Sequence, residues 1–425
     1  MERVLEPPAS ERASPTTRAP IAWAPFADGA AAPDVELSLL ERAFRARPAN
    51  PQLATAYGRA LVDRMAFDAA MAPLAAAAAA APDAPLPRAR LAECQVRRDD
   101  FTGALASLAF DDAAAPAAVR AQVGYLRGSA HASLGETAAA EAALRSALAI
   151  RPAHSPTFRK LASLLADAGR DVDLIALCDG LAAQDVRHSR LLSVRAQSLA
   201  ALGRAAEAAE LLDMSRVDIG LVDVPAGFAS LTELNAALAE ELLDHPYAVK
   251  RDGDRVYAGG RVHHLLHGPR PQLIRALAEV VRPRMETYVA GLTPRGDGDL
   301  WARARPAKAR LDVWGVVQHD ADRVGWHIHP NAWLSGVYYV AAPPTVSAEG
   351  EGPGCLEFGP PPEAAAALAG FVSVRRIAPE PGLLVLAPGH FHHRTIATGA
   401  AAPRISIAFD LAPIRGDDEG GAAEA

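Results

Sequence analysis

Two dense groups of histidine carry the chemistry this chain could do: Trp326-His327-Ile328-His329-Pro330-Asn331 and Gly389-His390-Phe391-His392-His393-Arg394. Side chains alternate along a strand, so His327 and His329 would face one side and Ile328 the other. Two imidazoles on one face can ligate one metal ion. A third from the distal group completes a facial set and leaves open positions for a bidentate co-substrate and for O2. Imidazole suits iron, zinc, copper and nickel alike, so residue type selects no metal. The plainer reading of two histidines around an isoleucine is a solvated strand face.

Such a site needs a rigid sheet to hold it, and the sequence from Leu311 onward reads almost entirely as strand. Candidate strands are Leu311 to Gln318, Gly325 to His329, Leu334 to Ala341, Gly354 to Phe358, Val372 to Ile377, Leu383 to Leu386, His393 to Ile396 and Arg404 to Leu411. Eight short strands between Gly and Pro turns predict a jelly roll. Two amphipathic stretches, Leu231 to Leu243 and Gln272 to Leu292, read as helices flanking the sheet. Trp314, Trp326 and Trp333 are expected to pack around the barrel mouth. His263, His264 and His267, beside Gly259-Gly260, read as an exposed loop, and Asp320 in His319-Asp320-Ala321-Asp322 as a turn residue and a reserve ligand.

Further motifs follow in order: Asn331-Ala332-Trp333-Leu334-Ser335-Gly336-Val337-Tyr338-Tyr339-Val340, Pro381-Gly382-Leu383-Leu384-Val385-Leu386-Ala387-Pro388 and Arg404-Ile405-Ser406-Ile407-Ala408-Phe409-Asp410. With the histidine groups, they make residues 220 to 414 resemble a bacterial family of 2-oxoglutarate and Fe(II) oxygenases built on a double-stranded β-helix. The resemblance implies that His327, His329 and His393 hold Fe(II), and that the Arg404 guanidinium receives the far carboxylate of 2-oxoglutarate. A planar fork pairs well with a carboxylate. Ser406, on the same strand face, would add a hydroxyl, and Tyr339 would border the same pocket. O2 and 2-oxoglutarate are then co-substrates, and the implied activity is hydroxylation of a protein, peptide or small molecule. Related oxygenases carry His-x-Asp where this chain has His329, so either three imidazoles ligate or His329 stands outside. Two alternatives remain: a three-histidine cupin-like dioxygenase that does not use 2-oxoglutarate, and an inactive scaffold.

The first half has a different grammar. Gly135, Gly169 and Gly203 recur every 34 residues, as do Pro48 and Pro82, and 34 is the tetratricopeptide period. Each glycine should end a first helix in the left-handed conformation, and each proline should close a second. The clearest copy, Val119 to Pro152, puts Tyr125, Leu126, Ala130 and Leu134 on one stripe, and Ala139, Ala142, Leu144, Ala147 and Leu148 on the next. About five units fit between residues 36 and 216, with the register broken around Phe110 to Ala118. The expected organisation is α + β: a tail over 1–35, a tetratricopeptide-like solenoid over 36–216, the jelly-roll domain over 217–415 and a tail over 416–425. The solenoid offers a surface for a protein or peptide partner.

Composition sets the outer limits. A chain of 425 residues, half of them apolar, exceeds one core. A net charge of -7, with no stripe of Lys and Arg along the chain, argues against nucleic acid as partner. Three well-separated cysteines give neither a disulfide framework nor a thiolate zinc site. No apolar run long enough for a bilayer is present, so a cytoplasmic protein without membrane contact is expected.

Overall fold

The computed structural model describes residues 20–24, 33–243, 249–250, 257–258, 261–264, 272–296, 298–343 and 352–414. Eleven helices come first. α1 (Pro33–Ala46) leads five pairs: α2 (Pro51–Val62) with α3 (Phe67–Ala80), α4 (Pro85–Arg97) with α5 (Phe101–Ser107), α6 (Ala117–Ser133) with α7 (Thr137–Ile150), α8 (Ser155–Asp167) with α9 (Asp171–Ala183), and α10 (Ser189–Ala201) with α11 (Ala205–Leu211). Gly135, Gly169 and Gly203 adopt φ of 78°, 66° and 74°, the left-handed values a tight turn between paired helices requires. The array is a tetratricopeptide-like solenoid, and its irregular turn falls between α5 and α6 as the sequence indicates.

Two details of the repeat reading need correction. Leu134 is 42% exposed, because it caps α6 one residue before the glycine turns the chain away. On α7 the inward face is Ala140, Leu144, Ala147 and Leu148, while Ala139 and Ala142 face solvent.

Thirteen strands are found among the described residues. β1 (Ala22–Trp23) lies near the N-terminus, followed after the array by β2 (Asp218–Leu221), α12 (Leu231–Leu243), β3 (Val249–Lys250), β4 (Tyr257–Ala258), β5 (Arg261–His264), α13 (Gln272–Ala290) and α14 (Leu300–Arg303). Then come β6 (Lys308–Gln318), β7 (Arg323–Val324), β8 (Leu334–Ala341), β9 (Leu356–Gly359), β10 (Arg375–Ile377), β11 (Leu383–Pro388), β12 (His392–Thr395) and β13 (Arg404–Pro413). The large sheet runs β2-β11-β8-β13-β6-β5-β3, with β1 parallel on β6, and the small sheet runs β10-β9-β12. One cleft is lined from both, by β6, β8, β11 and β13 on one side and β9 and β12 on the other, which is the double-stranded β-helix arrangement.

Residues 1–19, 25–32 and 415–425 lie outside the described residues, and with them most of the expected tails. The stretch 20–24 is not a tail: Ala22 donates to Ala307 O at 2.8 Å, Ala24 to Ala309 O at 2.8 Å, and Ile21 is buried in the core. His263 and His264 belong to β5 on the edge of β6 rather than to a loop, because the backbone pairs there with Gly315 and Trp314. His267 and residues 344–351 lie outside the described residues. Gly325 to His329 forms no continuous strand; it makes a single bridge at His327, and His329 N donates to Gly389 O at 2.8 Å just before Pro330, which has no N–H to continue the ladder.

α12 and α13 cover the outer face of the large sheet. A single buried cluster joins Leu144, Phe158 and Leu191 of the array to Leu238, Ile274 and the sheet residues Tyr338, Ile407 and Phe409.

Candidate metal centre

His327 and His393 exchange both backbone hydrogen bonds, each at 3.0 Å, so the segment after β7 is held against β12 of the small sheet. Their ring centroids are 4.1 Å apart, and His329 Nε2 stands 3.2 Å from His393 Nε2. His327, His329 and His393 are the three groups whose ligand atoms lie within 4.8 Å of one another.

Each ring has its other nitrogen occupied. His327 Nδ1 donates to Gly325 O at 2.8 Å, and His393 Nδ1 to Phe391 O at 3.0 Å. His329 Nδ1 faces the Asp410 carboxylate at 2.7 Å. The carbonyl acceptors at Nδ1 fix the tautomer of His327 and His393 that leaves Nε2 as a lone pair. Burial, reinforced by the neighbouring histidines, pushes His327 down to about 3 and His393 well below its usual value, so both stay neutral. Three convergent imidazoles, each with a second group beside Nδ1, form a donor set that fits a divalent first-row metal.

The strand carrying His393 is itself pinned. Glu357 is 2% exposed on β9, directly across from Arg376 of β10 and Arg394 of β12. It accepts from Arg376 Nε at 2.6 Å and from Arg394 Nε at 2.9 Å.

β13 supplies the rest of the cleft. Arg404, Ser406 and Ala408 alternate onto it, with Tyr339 of β8 opposite Ser406 and Gln318 of β6 opposite Arg404. Arg404 is 1% exposed; Nη1 donates to Gly354 O at 2.7 Å and Nη2 to Gln318 Oε1. Among the described residues no carboxylate pairs with this guanidinium, and its Nε has no partner. Burial lowers its pKa, and burial raises the Tyr339 phenol to about 12, so that hydroxyl keeps its proton.

The other candidates lie elsewhere. His390 is buried against the array, its Nε2 donating to Leu211 O at 2.7 Å, and His392, though beside His393, is not one of the convergent group. Asp320 occupies a turn at φ 40°, bonded through its backbone to Ala400. Of the tryptophans only Trp314 lines the cleft, stacked on His329 at 5.6 Å; Trp333 stacks instead on Trp301 at 4.7 Å, and Trp326 lies under the Arg394 guanidinium. Sequence reasoning left Asp410 without a role although it shares the parity of Arg404 and Ser406, and that parity was the available signal. Gln318 gave none, because its place depends on the β6–β13 register.

Three convergent imidazoles and a buried arginine in one jelly-roll cleft could hold a metal ion and an anionic co-substrate. Residues 312–410 match the model of a family described as "Putative 2OG-Fe(II) oxygenase", and this match supports a 2-oxoglutarate and Fe(II) oxygenase, with Fe(II), 2-oxoglutarate and O2 as the implied cofactors. No curated protein matches the chain. Solved structures with some likeness include a Pseudomonas putida prolyl-4-hydroxylase (13% identity, TM-score 0.32, covering 50% of this chain and 100% of that one). For the array they include MamA from Desulfovibrio magneticus RS-1 (20%, 0.30, covering 32% and 77%) and PilW, a type IV pilus biogenesis factor (22%, 0.35, covering 41% and 80%). These scores are low, and the fold description rests on the chain's own helices and strands. No helix among the described residues is long and apolar enough to cross a membrane.

Proposed function

We propose that this oxygenase is a hydroxylase of a protein or peptide side chain, with His327, His329 and His393 as the metal ligands and Arg404, Ser406 and Tyr339 receiving 2-oxoglutarate. The observation that carries the co-substrate is Arg404. A fully buried cation with no carboxylate partner is costly, and a dicarboxylate that brings its own charge relieves that cost. This also favours 2-oxoglutarate use over a cupin-like three-histidine reaction, in which the guanidinium would have no carboxylate to bind.

The roles divide along β13. Arg404 grips the far carboxylate, Ser406 adds a hydroxyl to it, and the protonated Tyr339 phenol closes the pocket wall. Fe(II), when bound, supplies the site at which O2 and the keto acid react. The apolar lining from Val316, Val337 and Phe358 keeps water away and shapes the space left for the target C–H bond. Residues 217–415 form this catalytic unit in our reading, residues 36–216 present the substrate, and the three buried free cysteines suit a reducing cytoplasm.

Anaerobic titration of the purified protein with Fe(II) and then 2-oxoglutarate tests the assignment. A charge-transfer band that needs both additions, is lost in His393→Ala and is shifted to much higher 2-oxoglutarate in Arg404→Ala supports it. Metal binding that ignores 2-oxoglutarate would move the reading to the cupin-like reaction.

A further inference from the structure

The helices of the array segregate charge by position in the pair. The first helices, α2, α4, α6, α8 and α10, carry ten Lys or Arg and two Asp or Glu. The second helices, α3, α5, α7, α9 and α11, carry one and seven. A chain of net charge -7 thus concentrates its positive charge on one side of the solenoid. The first helices also pack on one another in succession, α2 on α4, α4 on α6, α6 on α8 and α8 on α10, whereas each second helix packs chiefly on first helices. Elements that touch along a curved stack lie on its inner side, so the basic helices line the concave face.

Some of these cations are used internally: Arg88 and Arg127 bond backbone carbonyls of the α5–α6 turn, and Arg195 pairs with Asp179. Four others, Arg97, Arg159, Lys160 and Arg190, have no ion pair with a carboxylate among the described residues, and Arg97 lies over the Phe67 ring at 5.6 Å. Their charges are felt in sequence along a row: burial and then the charges of Arg159 and Arg97 lower Lys160, and burial and then Arg159 lower Arg190 to about 10. The row ends beside the segment that carries His329. Ser189, next to Arg190, donates to Ala332 O at 2.5 Å, three residues after His329, and Arg190 Nε is 3.4 Å from Ser155 Oγ at the start of α8.

We propose that the row Arg97, Lys160, Arg159 and Arg190 binds an acidic segment of a polypeptide substrate and leads it toward the three histidines. This rests on the oxygenase reading only for what happens at the end of the row. A polypeptide fits better than a nucleic acid because the row is short, its cations sit on three helices of a chain whose net charge is -7, and that suits a few individual carboxylates rather than a continuous phosphate backbone. Charged groups lining a concave, low-dielectric surface focus the field and raise both capture rate and affinity for the opposite sign.

The test measures binding alone, on the full chain without iron or 2-oxoglutarate, so its result is independent of the chemistry. Fluorescent pools of short random peptides rich in Glu and Asp are compared by anisotropy with pools rich in Lys, and with a single-stranded oligonucleotide. The expected result is binding of the acidic pool only, weakened roughly tenfold in Arg159→Glu with Lys160→Glu and steeply reduced by salt in the unaltered protein. Circular dichroism melting confirms that the variant is folded. Equal binding of both peptide pools, or no effect of charge reversal in a folded variant, overturns the proposal. An oligonucleotide that binds more tightly than the acidic pool replaces the occupant and overturns it as well. A protein that binds the acidic pool but gives no 2-oxoglutarate-dependent band keeps this proposal and loses the oxygenase one.

Discussion

The carboxylate of Asp410 stands 2.7 Å from Nδ1 of His329, on the strand that also carries Arg404 and Ser406. Where related oxygenases place a carboxylate on the metal, this chain has an imidazole with a carboxylate behind it. Removing such an outer partner usually costs about 10- to 100-fold in metal affinity. Asp410→Ala should therefore weaken Fe(II) binding by that factor, and Asp410→Asn, which keeps an oxygen beside the ring, by less. Calorimetric titration with Fe(II) under anaerobic conditions reads both, and equal affinity in all three proteins would remove Asp410 from the site.

Gly389 is the point where the ligand segment, the β11–β12 turn and the array meet. A Cβ there would lie 2.2 Å from Ala332 O, 2.8 Å from Ser189 Oγ and 2.9 Å from His329 O. Backbone atoms cannot yield cheaply, so Gly389→Ala should cost about 1–3 kcal/mol in urea unfolding and displace His329 enough to weaken metal binding. A variant with unchanged unfolding midpoint and Fe(II) affinity would show the contact to be slack.

Trp301 and Trp333 are stacked at 8° and each donates its indole N–H to the other's carbonyl at 2.8 Å. Phenylalanine at either position keeps the ring contact but loses one indole hydrogen bond to a carbonyl that retains a backbone partner, Ala304 N on Trp301 O or Gly389 N on Trp333 O, at about 0.5–1.5 kcal/mol. The two single variants should be equally destabilised, and the double variant less than additive because the two residues share one unit. Strict additivity would falsify the reciprocal pairing.

Acid should weaken the fold through buried histidines outside the ligand set. Burial holds His154 at about 4 and His390 at about 4, both below the ordinary value of 6.5. Above pH 6.5 neither folded nor unfolded chain is protonated there, so stability is independent of these groups. Between pH 6.5 and about 4 the unfolded chain takes protons the native one refuses, so stability falls as pH falls, by up to about 1.4 kcal/mol per pH unit for each histidine. Below about 4 the native state protonates too and the slope levels. Denaturant midpoints across this window should decline less steeply in His154→Gln than in the unaltered protein; parallel curves would assign the decline to other groups.

Much of this was legible in the chain itself. The 34-residue glycine spacing announced the paired helices because a left-handed residue has few substitutes, and β8 and β13 were readable within a residue or two at one end because buried strands keep long apolar runs. The three histidines were visible as a set from spacing and resemblance. What stayed hidden depends on register or docking: Gln318 reaches Arg404 only through the β6–β13 pairing, and His390 meets Leu211 only because the array lies against the sheet. The basic face was hidden for a related reason. Its charges are one or two per helix, interleaved in sequence with acidic helices, and they gather only when the pairs stack.

The buried cluster that joins Phe158 and Leu191 of the array to Tyr338 and Phe409 of the sheet has a consequence for how such a protein can change over time. Modules linked by a tether can be exchanged, shuffled or cut apart without harm. Here the last repeats share one buried core with the sheet, so a new binding specificity must arise by altering side chains on the repeats in place, and a graft of a foreign array would strip the sheet domain of part of its own interior.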